Sequence, residues 1–312
     1  MVIAHRGASG YLPEHTLPAK ALAYAMGADY LEQDVVATRD NALVVLHDIH
    51  VDRVTDVAIQ YPDRFRADGR YYVRDFDLAE LKRLNVHERT GPDGSPVYPN
   101  RYQDSGELFR IQTFAEELEF VRSLEEANGR RVGIYPEIKR PEWHRDEGVD
   151  ITPDFLKTLA DYGYQAHSDP VYVQCFDARE LHRIRHTLGC RMKLIQLIAE
   201  DTWSESATRY AALRTQKGLE RLARTVDGIG PWIRRAYRLR KRDGRISASG
   251  LVERAHKAGL AVHPYTFRAD ELPDGFESFD ALLAFFIDEL SVDGLFTDFP
   301  DRVLQFVRRT SA

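Results

Sequence analysis

The sequence predicts an α/β fold, namely a closed (β/α)8 TIM barrel with an inserted cap segment after the second strand. Eight short apolar segments typical of strands alternate with helical patterns, and this alternation implies a parallel sheet. The chain is 312 residues long, which fits one barrel. A polar segment at about 51–110 interrupts the alternation. We therefore expect residues 1–312 to form a single barrel domain that carries this insertion.

The strand candidates are short apolar runs. They are Val2–His5, Tyr30–Val36, Gly133–Lys139, Val171–Phe176, Lys193–Ile198, Val226–Gly230, Leu260–Phe267 and Gly294–Thr297. The helical patterns include Leu17–Met26, Phe114–Ala127, Phe155–Tyr162, Ala178–Leu188, Leu251–Ala258, Phe279–Leu290 and Arg302–Arg309. Two of these patterns begin with cap-like residues: Thr113 with Glu116 three positions on, and Thr152 before Pro153.

The predicted insertion follows a hairpin-like turn. After the second strand candidate comes Arg39-Asp40-Asn41, and then the apolar stretch Ala42–Leu46. From about 51 to 110 the sequence is rich in Arg, Asp, Tyr, Gly and Pro. A loop this long inside a barrel is usually functional, and it leaves the C-terminal side of the second strand, where barrel active sites form. We predict that the segment covers a site.

Composition and charge exclude several classes of protein. The formal net charge is −6, from 43 basic and 49 acidic residues, whereas nucleic-acid binding requires a basic face. No apolar run approaches the ~20 residues that span a bilayer. We therefore expect no nucleic-acid partner and no stable membrane insertion, and the sequence predicts no particular oligomeric state.

Cys175 and Cys190 are the only cysteines in the sequence. They are either two free thiols or one disulfide.

Acidic residues recur at strand spacing in two of the candidates. Glu32 and Asp34 share one face of the second strand because side chains alternate along a strand. Glu137 and Lys139 share a face of the third. Burying adjacent carboxylates is costly unless a cation compensates, and three carboxylates suit a hard cation such as Ca²⁺ or Mg²⁺. An ion-pair network with Lys139 or with arginines explains the same pattern equally well.

Two histidines lie at the ends of apolar runs. His5 ends the first strand candidate, and His47 follows Val44-Val45-Leu46. A pair of histidines on one rim can act as base and acid near neutral pH, although a single strand-end histidine is more often only a satisfied polar residue. Arg6, next to His5, suits a pair of phosphate oxygens.

Longer motifs run through the chain in order. They are AHRGASGYLPEHT, GADYLEQDVVATRD, VVLHD, YPEIK, VQCFD, DGIGP, HPYTFR and GLFTDFPD. Together they resemble the glycerophosphodiester phosphodiesterase family, over nearly the whole chain and most of all its bacterial periplasmic branch. The resemblance implies a (β/α)8 barrel with an insertion after the second strand. It also implies a small-molecule substrate, a glycerophosphodiester, which is hydrolysed to glycerol 3-phosphate and an alcohol.

The resemblance assigns roles to seven residues. They are the catalytic histidines His5 and His47, the metal ligands Glu32, Asp34 and Glu137, and the phosphate-contacting residues Arg6 and Lys139. The metal is expected to be Ca²⁺, with Mg²⁺ as the alternative, and to assist general acid–base catalysis. The sequence does not decide which histidine is the acid and which the base, and His5 is the preferred candidate for the base.

Three further residues are expected to line the substrate pocket, namely Gln174, Tyr265 and Phe267. All three stand near the ends of later strand candidates, where ordinary rim packing is equally typical. The chain also departs from the family pattern at three positions. His15 replaces the Asn of a Pro-Glu-Asn-Thr motif, Asn41 replaces a glycine, and Tyr265 stands where many members have Trp. Asn tolerates a positive φ, so we expect the second change to be accommodated.

Two other functions fit the same scaffold. One is lipid cleavage of the phospholipase D toxin type, which the polar insertion disfavours. The other is a surface binding protein that keeps the barrel without catalysis, which the presence of every expected site residue disfavours. The resemblance also implies a periplasmic protein whose signal peptide is missing from this sequence; a cytoplasmic location is the alternative.

Overall fold

The computed structural model describes residues 1–103 and 108–310. The strands in these residues are β1 (Val2–Ala4), β2 (Tyr30–Ala37), β3 (Leu43–Val45), β4 (Gly133–Ile138), β5 (Tyr172–Cys175), β6 (Lys193–Ile198), β7 (Gly228–Pro231), β8 (Tyr237–Arg240), β9 (Arg245–Ala248), β10 (Ala261–Val262) and β11 (Leu295–Thr297). The helices are α1 (Leu17–Met26), α2 (Val57–Gln60), α3 (Leu78–Leu81), α4 (Phe114–Asn128), α5 (Pro141–Asp146), α6 (Ile151–Asp161), α7 (Ala178–His186), α8 (Tyr210–Leu213), α9 (Gln216–Leu222), α10 (Leu251–Lys257), α11 (Phe279–Ala284) and α12 (Pro300–Thr310).

The predicted barrel is confirmed. Parallel strands follow the order β10-β7-β6-β5-β4-β2-β1-β11. Backbone hydrogen bonds between the segments of β10 and β11 close the ring, from Phe267 N to Phe296 O (2.8 Å) and from Phe296 N to Pro264 O (3.0 Å). Each of the eight predicted strands has a counterpart in this ring, and helices cover its outer face.

Several predicted element boundaries differ from the structure, and two of them have a clear physical reason. The strand predicted to reach Phe267 ends at Val262, because Pro264 has no backbone N–H to donate to a neighbouring strand. Thr152 does not cap a helix, since Asp150 is the N-cap of α6 and the Thr152 hydroxyl instead donates to Glu180 (2.7 Å). The box of Thr113 and Glu116 at the start of α4 is confirmed.

The turn after β2 forms the predicted hairpin. Strand β3 pairs antiparallel with β2, with Val45 opposite Val35. Asn41 adopts φ +64°, in the left-handed region that Asn accepts more readily than most residues. The antiparallel return of β3 brings the chain back to the C-terminal rim of the barrel, where His47 follows.

The segment after β3 has a hydrophobic core of its own. This cluster is built around buried residues such as Val51, Phe76, Leu84 and Ile111, and it packs beside the barrel core rather than inside it. Ion pairs cover its surface, for example between Arg66 and Asp75 and between Arg70 and Asp52. The segment therefore carries a fixed structure over the rim.

The lower half of the barrel interior is filled by bulky side chains. Ile3, Tyr135, Ile195 and Phe296 form a buried layer there, as is usual for barrels of this kind. Above this layer the inward side chains of β2 and β4 change to carboxylates. In residues 1–103 and 108–310, no helix has the length and apolar character needed to cross a membrane.

Candidate active site

A cavity of about 410 Å³ opens at the C-terminal ends of the strands. Nine of the ten residues expected from the sequence line it. They are His5, Arg6, Glu32, Asp34, His47, Glu137, Lys139, Gln174 and Tyr265. This is the rim at which barrel enzymes place their active sites, because consecutive strand ends converge there.

Three carboxylates face this cavity from neighbouring strands. Asp34 on β2 lies opposite Glu137 on β4 in the parallel register. Glu32, two residues before Asp34, points to the same side and accepts a hydrogen bond from the Arg6 backbone N–H (2.6 Å). All three are 4 % exposed or less, so strand alternation brings them together as the sequence predicts.

Burial and neighbouring charges shift the pKa values of these carboxyl groups in opposite directions. Burial raises the pKa of Glu32 well above its usual range, and the charge of Asp34 adds to this. Burial likewise raises the pKa of Glu137, although Lys139 opposes the shift. Burial would also raise the pKa of Asp34, but Lys139 and the neighbouring histidines outweigh it and hold that pKa well below its usual range.

His15 joins this acidic group, which its position in the sequence alone did not reveal. Its Nε2 lies 2.7 Å from Asp34 Oδ2. Ligand atoms of His15, Glu32 and Asp34 lie within 4.8 Å of one another, close enough to hold a metal ion. Glu137 does not belong to this tighter group, because Lys139 Nζ binds its carboxylate at 2.9 Å.

The donor set fits a divalent cation on two observations. Buried carboxylates whose pKa values are raised by desolvation gain stability when a cation replaces their protons. His15 Nδ1 is buried without a hydrogen-bond partner in the structure, while burial lowers the pKa of its ring and favours the neutral form. The ion pairs of Lys139 with Glu137 and Asp34 (3.6 Å) are the competing arrangement, so both readings of the acidic pattern have contacts to support them.

His5 and His47 line the cavity, and each is held by a carboxylate. His5 Nδ1 lies 2.6 Å from Asp298 Oδ1, and His47 Nδ1 lies 2.7 Å from Asp48 Oδ1. A carboxylate accepts, so Nδ1–H donates in both rings and each Nε2 keeps a free lone pair.

Burial, with the charge of Arg6, lowers the pKa of His5 to about 4 and that of His47 to about 3. Both rings are therefore neutral near neutral pH. Each can accept a proton at Nε2 in the resting protein.

Arg6 and Lys139 place positive charge beside the buried carboxylates of the cavity. The Arg6 Nη1 donates to Glu14 (2.8 Å), but its buried Nε has no hydrogen-bond partner in the structure and lies 3.7 Å from Asp34. An unpartnered buried donor of this kind suits an anionic ligand. The adjacent Gly7 adopts φ +90°, and a Cβ there would lie 2.8 Å from the Ala19 carbonyl carbon, so this turn requires glycine.

Of the three residues expected to line the substrate pocket, two do so and one does not. Gln174 and Tyr265 line the cavity, and the Gln174 Oε1 is buried without a hydrogen-bond partner in the structure. Phe267 does not line it, and that prediction is wrong. Its ring is fully buried in the main hydrophobic core and packs against Phe286 with centroids 5.0 Å apart, because the regular strand ends before it at Val262.

Several residues of the site were not predicted from the sequence. Asp298, inside the motif GLFTDFPD, and Asp48, directly after His47, hold the two histidines. Phe176, Trp203, Trp232 and Arg268 line the cavity; Phe176 and Arg268 lie in the motifs VQCFD and HPYTFR, whereas the two tryptophans lie in none of the motifs. The thiols of Cys175 and Cys190 are both free, so the structure has no disulfide between them.

Comparison with known proteins gives the same family along nearly the whole chain. The model of the glycerophosphoryl diester phosphodiesterase family matches residues 5–302. The glycerophosphodiester phosphodiesterase of Haemophilus influenzae is 42% identical over 326 residues, which cover 99% of this chain and 90% of that protein. The glycerophosphodiester phosphodiesterase of Treponema pallidum is 38% identical, covering 98% of this chain and 91% of that protein.

Solved structures give the same fold. A putative glycerophosphoryl diester phosphodiesterase from Silicibacter pomeroyi superposes with a TM-score of 0.74 at 22% identity, over 99% of this chain and 93% of that chain. An Oleispira antarctica phosphodiesterase, solved in complex with sn-glycerol-3-phosphate, superposes with a TM-score of 0.64 at 22% identity, over 99% of this chain and 96% of that chain.

Proposed function

This chain belongs to the glycerophosphoryl diester phosphodiesterase family and hydrolyses glycerophosphodiesters to glycerol 3-phosphate and an alcohol, and from that premise we propose how its side chains divide the reaction. One observation carries the proposal. A single cavity has buried carboxylates on one wall and two histidines with free Nε2 atoms on another. This combination suits metal-assisted acid–base cleavage of a phosphodiester.

The metal is Ca²⁺, or alternatively Mg²⁺, held by Glu32, Asp34 and Glu137. When bound, it would neutralise phosphate charge and stabilise the more negative transition state. His15 supports Asp34 through its Nε2–H or adds a nitrogen ligand. Oxygen-ligand distances of ~2.4 Å in a crystal of the metal complex would identify Ca²⁺, whereas ~2.1 Å would identify Mg²⁺.

His5 acts as the general base and His47 as the general acid. The neutral Nε2 of His5 takes a proton from the nucleophile. The phosphorus–oxygen bond to the leaving alcohol then breaks, and a protonated His47 donates its Nε2 proton to the departing oxygen. An incoming phosphate anion raises the pKa of a nearby histidine, which gives His47 that proton on substrate binding.

Arg6 and Lys139 bind the phosphate. The unpartnered Nε of Arg6 is the donor that the resting protein leaves available. Lys139, whose ammonium pairs with Glu137 in the structure, would be available to the phosphate if a cation held that carboxylate. Gln174 and Tyr265 orient the organic part of the substrate from the later strands of the barrel.

The first nucleophile is the 2-hydroxyl of the glycerol unit, and water then opens the resulting cyclic phosphate. An intramolecular hydroxyl gains strongly from correct positioning. A substrate analogue without this hydroxyl separates the route from direct attack by water. If the analogue binds normally and is cleaved at a similar kcat, water is the nucleophile; if it binds without cleavage, the cyclic route stands.

The proposed location of the protein is the periplasm. The similarity of its motifs to the bacterial periplasmic branch of the family supports this location, and that compartment also supplies Ca²⁺. Osmotic-shock fractionation of the source cells should release the activity. Activity that stays with the cytoplasmic marker enzyme would contradict the proposal.

The division of roles is tested by cleavage of sn-glycero-3-phosphocholine by the wild type and by Glu137→Gln. The wild type is expected to release glycerol 3-phosphate and choline in equal amounts and to lose this activity on chelation of divalent cations. Glu137→Gln should need a higher metal concentration for half-maximal activity. An unchanged metal requirement would remove Glu137 from the proposed ligand set.

A further inference from the structure

Two arginines of the insertion reach the carboxylates that hold the two histidines. Asp48 uses both of its oxygens: Oδ1 accepts from His47 Nδ1 (2.7 Å), and Oδ2 accepts from Arg89 Nη1 (2.6 Å). Arg89 belongs to the segment at about 51–110, whereas Asp48 and His47 follow β3 on the barrel rim. The contact therefore connects the insertion to the proton-transferring ring through one carboxylate.

The same arrangement occurs on the other histidine. Asp298 Oδ1 accepts from His5 Nδ1 (2.6 Å), and its Oδ2 accepts from Arg101 Nη2 (2.8 Å). Arg101 also lies in the insertion, and both it and Asp298 are buried. Two His–Asp–Arg series thus run from the cavity into the insertion, although their members are far apart in the sequence.

An arginine on the second carboxylate oxygen has a defined physical effect. A carboxylate held through one oxygen can rotate about its Cβ–Cγ bond, and the ring it holds then tilts. A guanidinium on the other oxygen fixes the plane of the carboxylate and, through it, the plane of the imidazole. Such charge-assisted hydrogen bonds are stronger than neutral ones when they are shielded from water.

We propose that Arg89 and Arg101 are positioning residues through which the insertion sets the orientation of His47 and His5. The inference rests on the proposed roles of the two histidines and extends them. In this view the docked insertion completes the support of both proton-transferring rings.

The two carboxylates that hold the histidines differ in the number of arginines that pair with them, so loss of Arg89 and loss of Arg101 should differ in effect. Asp298 keeps a second guanidinium, because Arg268 Nε donates to it (2.7 Å). Among the residues that the structure describes, Arg89 is the one guanidinium that pairs with Asp48. Arg89 also donates to Glu14 (2.6 Å), which in turn holds Arg6. Loss of Arg89 should therefore disturb the site more than loss of Arg101.

A purely structural role for Arg89 makes different predictions. If Arg89 only anchored the insertion, its loss would lower thermal stability and leave the kcat of the folded protein close to that of the wild type. If it positions His47, its loss lowers the kcat of the folded protein by a larger factor than it raises KM, where a modest rise is expected because Arg89 also reaches Arg6 through Glu14. Arg70 is the matched control, since it is another insertion arginine that pairs with a carboxylate, Asp52 (2.7 Å), away from both histidines.

The experiment compares Arg89→Ala, Arg101→Ala and Arg70→Ala in the full-length, metal-loaded protein with sn-glycero-3-phosphocholine. Loss of one charge-assisted hydrogen bond corresponds to about 10- to 150-fold in rate. We expect a fall in kcat of this size for Arg89→Ala, a smaller fall for Arg101→Ala and none for Arg70→Ala. A kcat for Arg89→Ala equal to that of Arg70→Ala, in an active wild type, would overturn the inference. An inactive wild type would instead overturn the proposed function.

Two further measurements test the positioning role of Arg89 even if Arg89→Ala folds poorly. Guanidinium ion at millimolar concentration should partly restore kcat to Arg89→Ala and should not affect Arg70→Ala; a structural anchor would not be restored in this way. In a double-mutant cycle, Arg89→Ala and Asp48→Asn should be far less than multiplicative in kcat. Fully multiplicative losses would show that Arg89 does not act through Asp48 and would overturn the inference.

Discussion

Removal of the proposed divalent cation should lower the free energy of unfolding, and the size of this change can be calculated. Glu32, Asp34 and Glu137 are all buried, and the proposed site exists in the folded protein and not in the unfolded chain, so a cation bound there would stabilise the folded state. Such a ligand at about 100 times its Kd stabilises the folded state by about 2.7 kcal/mol. For a chain of 312 residues, the entropy of unfolding converts this to a rise in Tm of about 4 °C.

The assay is thermal unfolding after exhaustive chelation, with Ca²⁺ or Mg²⁺ then added from micromolar to millimolar concentrations. Glu137→Gln should shift the midpoint of the metal titration to higher concentration. Glu119→Gln is a matched control, because Glu119 is exposed on α4 and pairs with Arg122; its titration should follow the wild type. A wild-type Tm that neither cation changes would refute the assignment and leave the ion pairs of Lys139 as the full explanation of the acidic pattern.

Three other outcomes follow from the contacts described above. His5→Ala and His47→Ala should each lower kcat by about 10²–10⁴-fold with the fold retained by circular dichroism, and near-normal turnover would remove that histidine from the mechanism. Burial, with the charge of Glu14, raises the pKa of Glu88 from 4.5 to about 8. Wild-type stability should therefore fall as pH rises across that interval, and Glu88→Gln should be more stable than the wild type at pH 8 but not at pH 4; equal stability at pH 8 would contradict this. Tyr265→Leu should raise KM, whereas Phe267→Leu should lower Tm and leave KM unchanged; the reverse pattern would restore Phe267 to the pocket.

The barrel and the main side chains of its cavity could be predicted because both depend on local periodicity. Strand alternation places Glu32 and Asp34 on one face, and the parallel register of β2 and β4 places Glu137 beside them. His5 and His47 follow apolar strands directly, so their location on the rim also follows from the sequence. These relations hold within a few residues or between neighbouring strands.

Other features depend on the tertiary fold and left no such pattern. His15 reaches Asp34 because the turn before α1 folds back over β2, which its position in the sequence does not indicate. Phe267 was misplaced because alternation was extended beyond Val262, where the regular strand ends. The contact of Arg101 with Asp298 joins residues from opposite ends of the chain, and only the docked insertion brings them together.

The central claim is that this cavity cleaves glycerophosphodiesters through two histidines and a bound divalent cation. The most direct measurement is the release of glycerol 3-phosphate from sn-glycero-3-phosphocholine by purified protein, first after chelation and then after return of Ca²⁺ or Mg²⁺. The account predicts almost no product after chelation, full recovery with the cation, and no recovery in the double variant His5→Ala/His47→Ala. Undiminished release of glycerol 3-phosphate after exhaustive chelation, or from the double variant, would contradict it.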